Sequence, residues 1–309
     1  MPGPRATVVV PVKQGAAHLP ALLEALARQE IDGGLEVLGI DSGSTDGSVA
    51  ILERHGARTL RIAPEAFDHG ETRNAGAREA RGSMVVFLSQ DAVPAGADCV
   101  QRLVAALEAD GRIAGAFARQ VPRPGSDPLT RRDLAGWIVT RSEARTVFVE
   151  DVARFETLPP LERYALSAFD NVASAIRRDL LIAHPFAPAR FGEDLEWGYR
   201  MLRGGYGLAY VPEAVVVHSH ARSARALYRR NYLGHRLLGR LFGLRAVPDL
   251  LHLLRAAAGG MAADVAMLTR AGAAPALLLA APVQAVAALY GQYRGARDEV
   301  LGRPYPDWA

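Results

Sequence analysis

Met84-Val85-Val86-Phe87-Leu88 runs directly into Ser89-Gln90-Asp91. Five consecutive apolar residues predict a strand buried on both faces, the pattern of a parallel sheet covered by helices. Open sheets of that kind bind ligands just beyond the carboxyl ends of their strands. Asp91 stands at such an end. It is placed to bridge a metal ion to a phosphate-bearing substrate, while the turn-like Asp91-Ala92-Val93-Pro94 equally allows a plain turn carboxylate.

The flanking segments repeat this pattern. Residues 7–12 are apolar and β-branched, and Leu19, Leu22, Leu23 and Leu26 recur after them at helical spacing. A second strand is expected over 36–40, ending on Asp41. Val49, Ile51 and Leu52 mark a helix, and 59–62 a short third strand. Residues 71–81 are alanine-rich and helical, closed by Gly82. The alternation predicts an α/β fold: a Rossmann-type mixed, mainly parallel sheet flanked by helices, with right-handed crossovers. It breaks at the Pro/Gly-rich stretch 122–128. Weak helices and loops are expected over 133–167. Strands follow at 113–120, 171–176 and 214–218, with a helix over 193–203 stopped by Gly204-Gly205.

From Arg222 onward the chain reads as a helical C-terminal extension. Arg222, Arg225, Arg229, Arg236 and Arg240 fall within one arc at helical spacing, with Leu227, Leu233, Leu237, Leu238 and Leu241 across from them. Such a helix could lie on an anionic membrane or present a solvated face. Gly234, Gly239 and Gly243 weaken it. Residues 271–291 carry no charge and are long enough to span a bilayer. Their alanine content, with Pro275, Pro282 and Gln284 inside, favours a buried or interfacial helical pair instead.

Composition narrows the class. Of 309 residues, 50% are hydrophobic and 22% charged, which excludes a disordered chain. A net charge of +3 and a pI near 9.2 suit phosphate ligands or an anionic surface. The single cysteine, Cys99, rules out an intramolecular disulfide or a thiolate metal cluster and fits a reducing compartment. The first apolar run is too short for a signal peptide.

Four stretches have residue types suited to chemistry. Asp41-Ser42-Gly43-Ser44-Thr45-Asp46-Gly47 suits a tight turn into a helix, with Asp46 near its N-terminus. Asp41 could also accept from a nucleobase N–H or a ribose hydroxyl. Neither this stretch nor any other carries a dinucleotide-binding or P-loop signature. In 67–76, Gly70 and Gly76 permit close backbone approach. Arg73 and Asn74 lie near a helix start that favours an anion, unless this is simply a capped surface helix. Glu193-Asp194 opens a helix, as dipole partners or as a general base, and Trp197 beside them could stack on a sugar or pack in the core. His218 and His220 point the same way on a strand. One of them could join Asp91 on a divalent metal, or be a satisfied polar residue at a strand end.

In order and spacing, Val10-Pro11-Val12, Asp41 to Asp46, the Asp91 strand end, Glu193-Asp194 and His218 together resemble a family 2 glycosyltransferase with the GT-A fold. The resemblance spans residues 6–220. It implies a catalytic domain over 1–221, with a nucleotide-binding half to about 120 and an acceptor half beyond, followed by a helical region over 222–309. It implies that Pro11, Val12, Asp41, Ser42, Gly43, Arg73 and Gln90 hold a nucleotide-sugar donor. Asp91 with His218, or His220 as alternate, would hold Mg2+ or Mn2+. Asp194 would be the catalytic base with Glu193 in reserve, and Trp197 an acceptor or sugar contact. One departure stands out: the usual Asp-x-Asp is here Ser89-Gln90-Asp91.

FDHGETRNAG over 67–76 and FLSQDAVP over 87–94 resemble the bacterial rhamnosyltransferase branch. That branch implies dTDP-L-rhamnose as donor and a glycan or lipid-linked glycan as acceptor. It places the reaction in the cytoplasm at the inner face of the cell membrane, with peripheral membrane contact and no nucleic-acid partner. The lack of a Q-x-x-R-W motif favours addition of a single sugar. Two rivals are a sugar-nucleotide nucleotidyltransferase, poorly served by Lys13 and Gly15 as a triphosphate loop, and a non-catalytic scaffold of the same fold.

Overall fold

The computed structural model describes residues 3–220 and 222–308. Three β-α units come first: β1 (Ala6–Val12) and α1 (Leu19–Ala27), β2 (Leu35–Asp41) and α2 (Ser48–Arg54), β3 (Arg58–Arg61) and α3 (His69–Glu79). β4 (Met84–Leu88) is buried at every position, as its unbroken apolar run requires. These strands are parallel in the order β3-β2-β1-β4. Leu19, Leu22, Leu23 and Leu26 of α1 share a core cluster with Val8, Val10 and Val12 of β1, so the helical and strand periodicities close on each other.

α3 starts two residues before the expected helix because Asp68 caps it, accepting from Gly70 N at 2.9 Å and Glu71 N at 3.0 Å. The expected close approaches exist. A Cβ on Gly70 would sit 2.2 Å from the Ala187 carbonyl oxygen, and one on Gly76 2.4 Å from Val9. Between them, Asn74 donates to Phe186 O at 2.9 Å and accepts from Phe186 N at 3.0 Å. Losing that amide would strand two buried backbone groups, at about 1–3 kcal/mol each.

The second half of the sheet is mixed. β5 (Val93–Pro94), α4 (Cys99–Ala109), β6 (Ile113–Val121), α5 (Pro128–Ala135) and β7 (Arg145–Val147) are followed by α6 (Val152–Thr157) and α7 (Pro160–Leu166). β8 (Ala173–Arg177), α8 (Arg178–Ala183), α9 (Glu193–Arg203) and β9 (Gly207–Val217) complete it. The order continues β4-β8-β6-β9-β5, with β7 also on β9. β8 is antiparallel to both β4 and β6, and β6 is parallel to β9. Two reversals cancel, so β6 and β9 run in the sense of β1, β2 and β4. All five carboxyl ends lie along one edge. β5 folds back antiparallel on β9 with Val93 opposite Val217. Pro94 therefore belongs to a short strand, not a turn, and β9 begins seven residues before the strand expected at 214.

The chain divides into two compact units. One comprises Met1–Val121, Trp137–Glu156 and Leu166–His218; the other Pro122–Gly136, Thr157–Ala165 and Ser219–Ala309. The expected split at 221/222 falls at Ala221, outside the described residues, and the helical unit also takes in two mid-chain segments. Its long helices are α10 (Ala224–Phe242), α11 (Leu250–Arg270) and α12 (Pro275–Val300). α10 runs through Gly234 and Gly239 and stops at Gly243, whose φ of 69° suits a helix terminus. α10 and α12 meet at Gly291 and Gly295, where a Cβ would lie 2.5 Å from Tyr228 O and 2.2 Å from Tyr232 O.

The arginine arc is divided: Arg225 and Arg240 are exposed, while the other three members are engaged within the unit. Arg236 is buried against Glu299 at 3.0 Å, Arg229 lies over the Trp308 ring, and Arg222 pairs with Asp133. Residues 271–291, expected as part of a buried or interfacial helical pair, fall mainly in α12 and are only partly buried. α11 and α12 are each long and apolar enough to cross a membrane, with Leu250, Leu254, Leu279 and Val283 exposed.

Candidate active site

Residues that follow the aligned strand ends assemble the site. Gln90, beyond β4, donates from Nε2 to Lys13 O at 3.1 Å and accepts at Oε1 from Lys13 N at 3.0 Å. This clasp ties the end of β4 to the end of β1. Gly15 is needed beside it, since a Cβ there would lie 2.6 Å from Gln90 Oε1. Lys13 in turn donates from Nζ to Ser42 O at 2.6 Å and Gly43 O at 3.1 Å. Asp41 is buried and accepts from the amides of Gly43 at 3.0 Å and Ser44 at 3.1 Å. Asp46 accepts from Ala16 N at 2.9 Å. The 41–47 turn is thus a rigid wall braced on the loop after β1.

Pro11, Val12, Lys13, Phe67, His69, Arg73, Ser89, Gln90 and Asp91 line an open cleft. The structure therefore brings five of the sequence candidates to one place: Pro11, Val12, Arg73, Gln90 and Asp91. Asp41, Ser42 and Gly43 are tied to the cleft wall through Lys13.

His218 follows β9 directly. The β6–β9 register sets Gln120 opposite Val216, so the side chains at 120 and 218 project from the same face. His218 is buried, with Nδ1 2.9 Å from Gln120 Oε1 and Nε2 3.6 Å from Asp91 Oδ1. The β5–β9 pairing brings Asp91 there, two residues ahead of Val93. A carboxylate oxygen and an imidazole nitrogen in this proximity form a donor set that fits a divalent ion. His220 is an exposed residue at the start of the second unit.

Glu193 and Asp194 open α9 behind Gly192, whose φ is 73°. They have different surroundings. Glu193 Oε1 is buried, 3.0 Å from Arg73 Nη1, and accepts from Asn171 Nδ2 at 3.1 Å. Burial alone would raise its pKa. The Arg73 guanidinium, His69 and the Asn171 amide outweigh that and hold it below its ordinary value. Asp194 accepts from Asn171 N at 3.0 Å and Leu195 N at 2.8 Å, two neutral amides in place of a guanidinium. Burial, then the negative charges of Glu193 and Asp170, push its pKa up to about 8. Adjacent carboxylates whose pKa values diverge this way can take different roles. Glu193 stays an ion-pair partner, while Asp194 is poised to exchange a proton near neutral pH.

Two sequence readings change here. Arg73 lies a turn inside α3 instead of at its start, with Nη1 engaged by Glu193 and His69 O while the residue lines the cleft. Trp197 is not a sugar contact. It is fully buried, donates from Nε1 to His184 O at 2.7 Å, and packs on Phe169 and Phe186. Gln120, Asp170 and Asn171 were missed. Their signal was positional: polar residues next to apolar strands that reach the same sheet edge as Asp91.

Residues 7–182 match the family model Glycosyl transferase family 2. The chain is 27% identical over 239 residues to the O-antigen chain rhamnosyltransferase RfbN of Salmonella typhimurium strain LT2, covering 73% of this chain and 70% of that protein. It is 26% identical over 237 residues to the O-antigen chain rhamnosyltransferase WbaN of Salmonella anatum, covering 74% and 70%. The solved mannosyltransferase PcManGT from Pyrobaculum calidifontis, in complex with GDP-Man and Mn2+, superposes with a TM-score of 0.63 at 20% identity, covering 98% of this chain and 88% of that one. The shared architecture is the GT-A fold.

The Asp194 shift has a consequence for stability. Its folded pKa of about 8 lies above the ordinary 3.8, so the native state keeps a proton that the unfolded chain releases. Its contribution is therefore full at low pH and drains away as pH rises from about 4 to about 8. Urea unfolding of Asp194→Asn should show a variant more stable than the parent at about pH 9, with the advantage shrinking steadily toward about pH 4. An advantage independent of pH would mean that Asp194 ionises normally.

Proposed function

The chain belongs to glycosyl transferase family 2, and from that premise we propose that it transfers L-rhamnose from dTDP-L-rhamnose, with inversion, to a hydroxyl of a glycan or lipid-linked glycan. The observation that carries the chemistry is the cleft lined by Asp91, with His218 3.6 Å from that carboxylate and the Asp194 pKa raised to about 8. The rhamnosyl donor is supported by the two Salmonella relatives, both named rhamnosyltransferases.

Pro11, Val12 and the braced 41–47 turn would receive the nucleotide. Gln90 keeps the Lys13 loop in place beneath it. Asp91 and His218 would hold Mg2+ or Mn2+, which offsets charge on the departing diphosphate. Asp194 accepts the proton of the acceptor hydroxyl as its oxygen attacks the anomeric carbon. The bond from that carbon to the diphosphate oxygen breaks, and its electron pair leaves with the nucleotide. A base with a pKa near the working pH serves such a step best. Glu193, held ionised by Arg73, orients Asn171 and through it Asp194.

A panel of dTDP-, UDP- and GDP-sugars, with and without Mn2+, read by nucleotide diphosphate release, tests this reading. Turnover of dTDP-L-rhamnose with Mn2+ is expected, and Asp194→Asn should bind that donor while losing transfer by about 10²–10⁴-fold. Turnover confined to another sugar would change the donor. Full activity of the variant would remove Asp194 as the base. Pyrophosphate release from a nucleoside triphosphate and a sugar phosphate would favour the nucleotidyltransferase instead.

The exposed apolar faces of α11 and α12 support peripheral attachment to the cytoplasmic face of the membrane. Because Arg222, Arg229 and Arg236 of the arc are engaged within the unit, attachment should come from apolar insertion more than charge. Flotation with lipid vesicles should persist in high salt and fail for the double variant Leu279→Glu, Val283→Glu. Binding abolished by salt alone would contradict this.

A further inference from the structure

We infer that a hydrogen-bonded chain from Val172 through Asp170 and Gln120 sets the tautomer of His218, which makes Asp170 and Gln120 positioning residues for metal capture. The inference rests on the reading of His218 as a metal ligand.

The polarity follows link by link. The Val172 N–H can only donate, and it donates to Asp170 Oδ1 at 2.8 Å. The other oxygen of that carboxylate, Oδ2, can only accept, so Gln120 must turn its NH2 group toward it, at 2.9 Å. That leaves Gln120 Oε1 facing His218 Nδ1 at 2.9 Å. Nδ1 must then carry the hydrogen. A neutral imidazole so arranged has its lone pair on Nε2, the atom 3.6 Å from Asp91 Oδ1. Gln120 and His218 are 4% and 3% exposed, so water competes little for these bonds. A backbone amide thus dictates which ring nitrogen can ligate, a role that outer partners of metal-bound histidines commonly fill.

Asp170→Asn reverses the chain. The introduced amide has one acceptor, which the Val172 N–H claims, and its NH2 group then faces Gln120. Gln120 flips, donates to His218 Nδ1, and moves the hydrogen to Nε2. Adding Gln120→Glu restores the polarity, since one oxygen of the introduced carboxylate accepts from the amide at position 170 and the other from His218.

Long-range ¹H–¹⁵N spectra of the full chain, at a pH where the imidazole is neutral, read the tautomer without metal. Electron paramagnetic resonance of free Mn2+ reads affinity without turnover. The parent should show Nδ1–H. Asp170→Asn should show Nε2–H and bind Mn2+ about 10–100-fold more weakly. The double variant should recover both within a few-fold, a rescue that mere loss of packing cannot produce. Retention of Nδ1–H in Asp170→Asn, or failure of the double variant to recover, would overturn the inference. A parent with Nδ1–H that binds no Mn2+ would contradict the ligand reading instead, leaving the spectrum of Asp170→Asn to decide the chain.

Discussion

The common direction of β1, β2, β4, β6 and β9 is the constraint on which everything else depends. It brings Lys13, Asp41, Asp91, Gln120 and His218, widely scattered in sequence, to one sheet edge. β8 runs the other way and so begins at that edge, which is why Asp170 and Asn171 precede a strand while the others end or follow one. The short β5 does the last part. By pairing Val93 with Val217 it folds the chain after Asp91 onto the strand that delivers His218.

Within this frame, amide groups supply most of the precision. Gln90 on Lys13, Asn74 on Phe186 and Gln120 between Asp170 and His218 each donate and accept at once. A carboxylate could replace none of them without losing a donor. Charges are kept for contrast. Arg73 holds Glu193 ionised, while burial and the charges of Glu193 and Asp170 make the neighbouring Asp194 retain its proton to about pH 8.

Much of the fold was legible because its signals are long. β4 matches its apolar run residue for residue, and α9 matches its expected span. β5 and β7 were not legible, since such short segments carry no periodicity and their pairing is decided by β9. The arginines at and before α10 were visible as an arc, but the direction of Arg236, Arg229 and Arg222 depends on Glu299, Trp308 and Asp133, far off in sequence. Asp91, Asp194 and His218 were legible as polar residues at element ends. Gln120 was not, because its meaning lies in what its two amide atoms touch. Trp197 was readable both ways, and burial decided it.

The most direct test is an anomalous difference map from crystals soaked in Mn2+ and dTDP. A peak beside Asp91 and His218, with dTDP bound in the cleft, is the predicted result. A diphosphate bound in the cleft with the metal held by other residues, or with no metal at this edge, would contradict it.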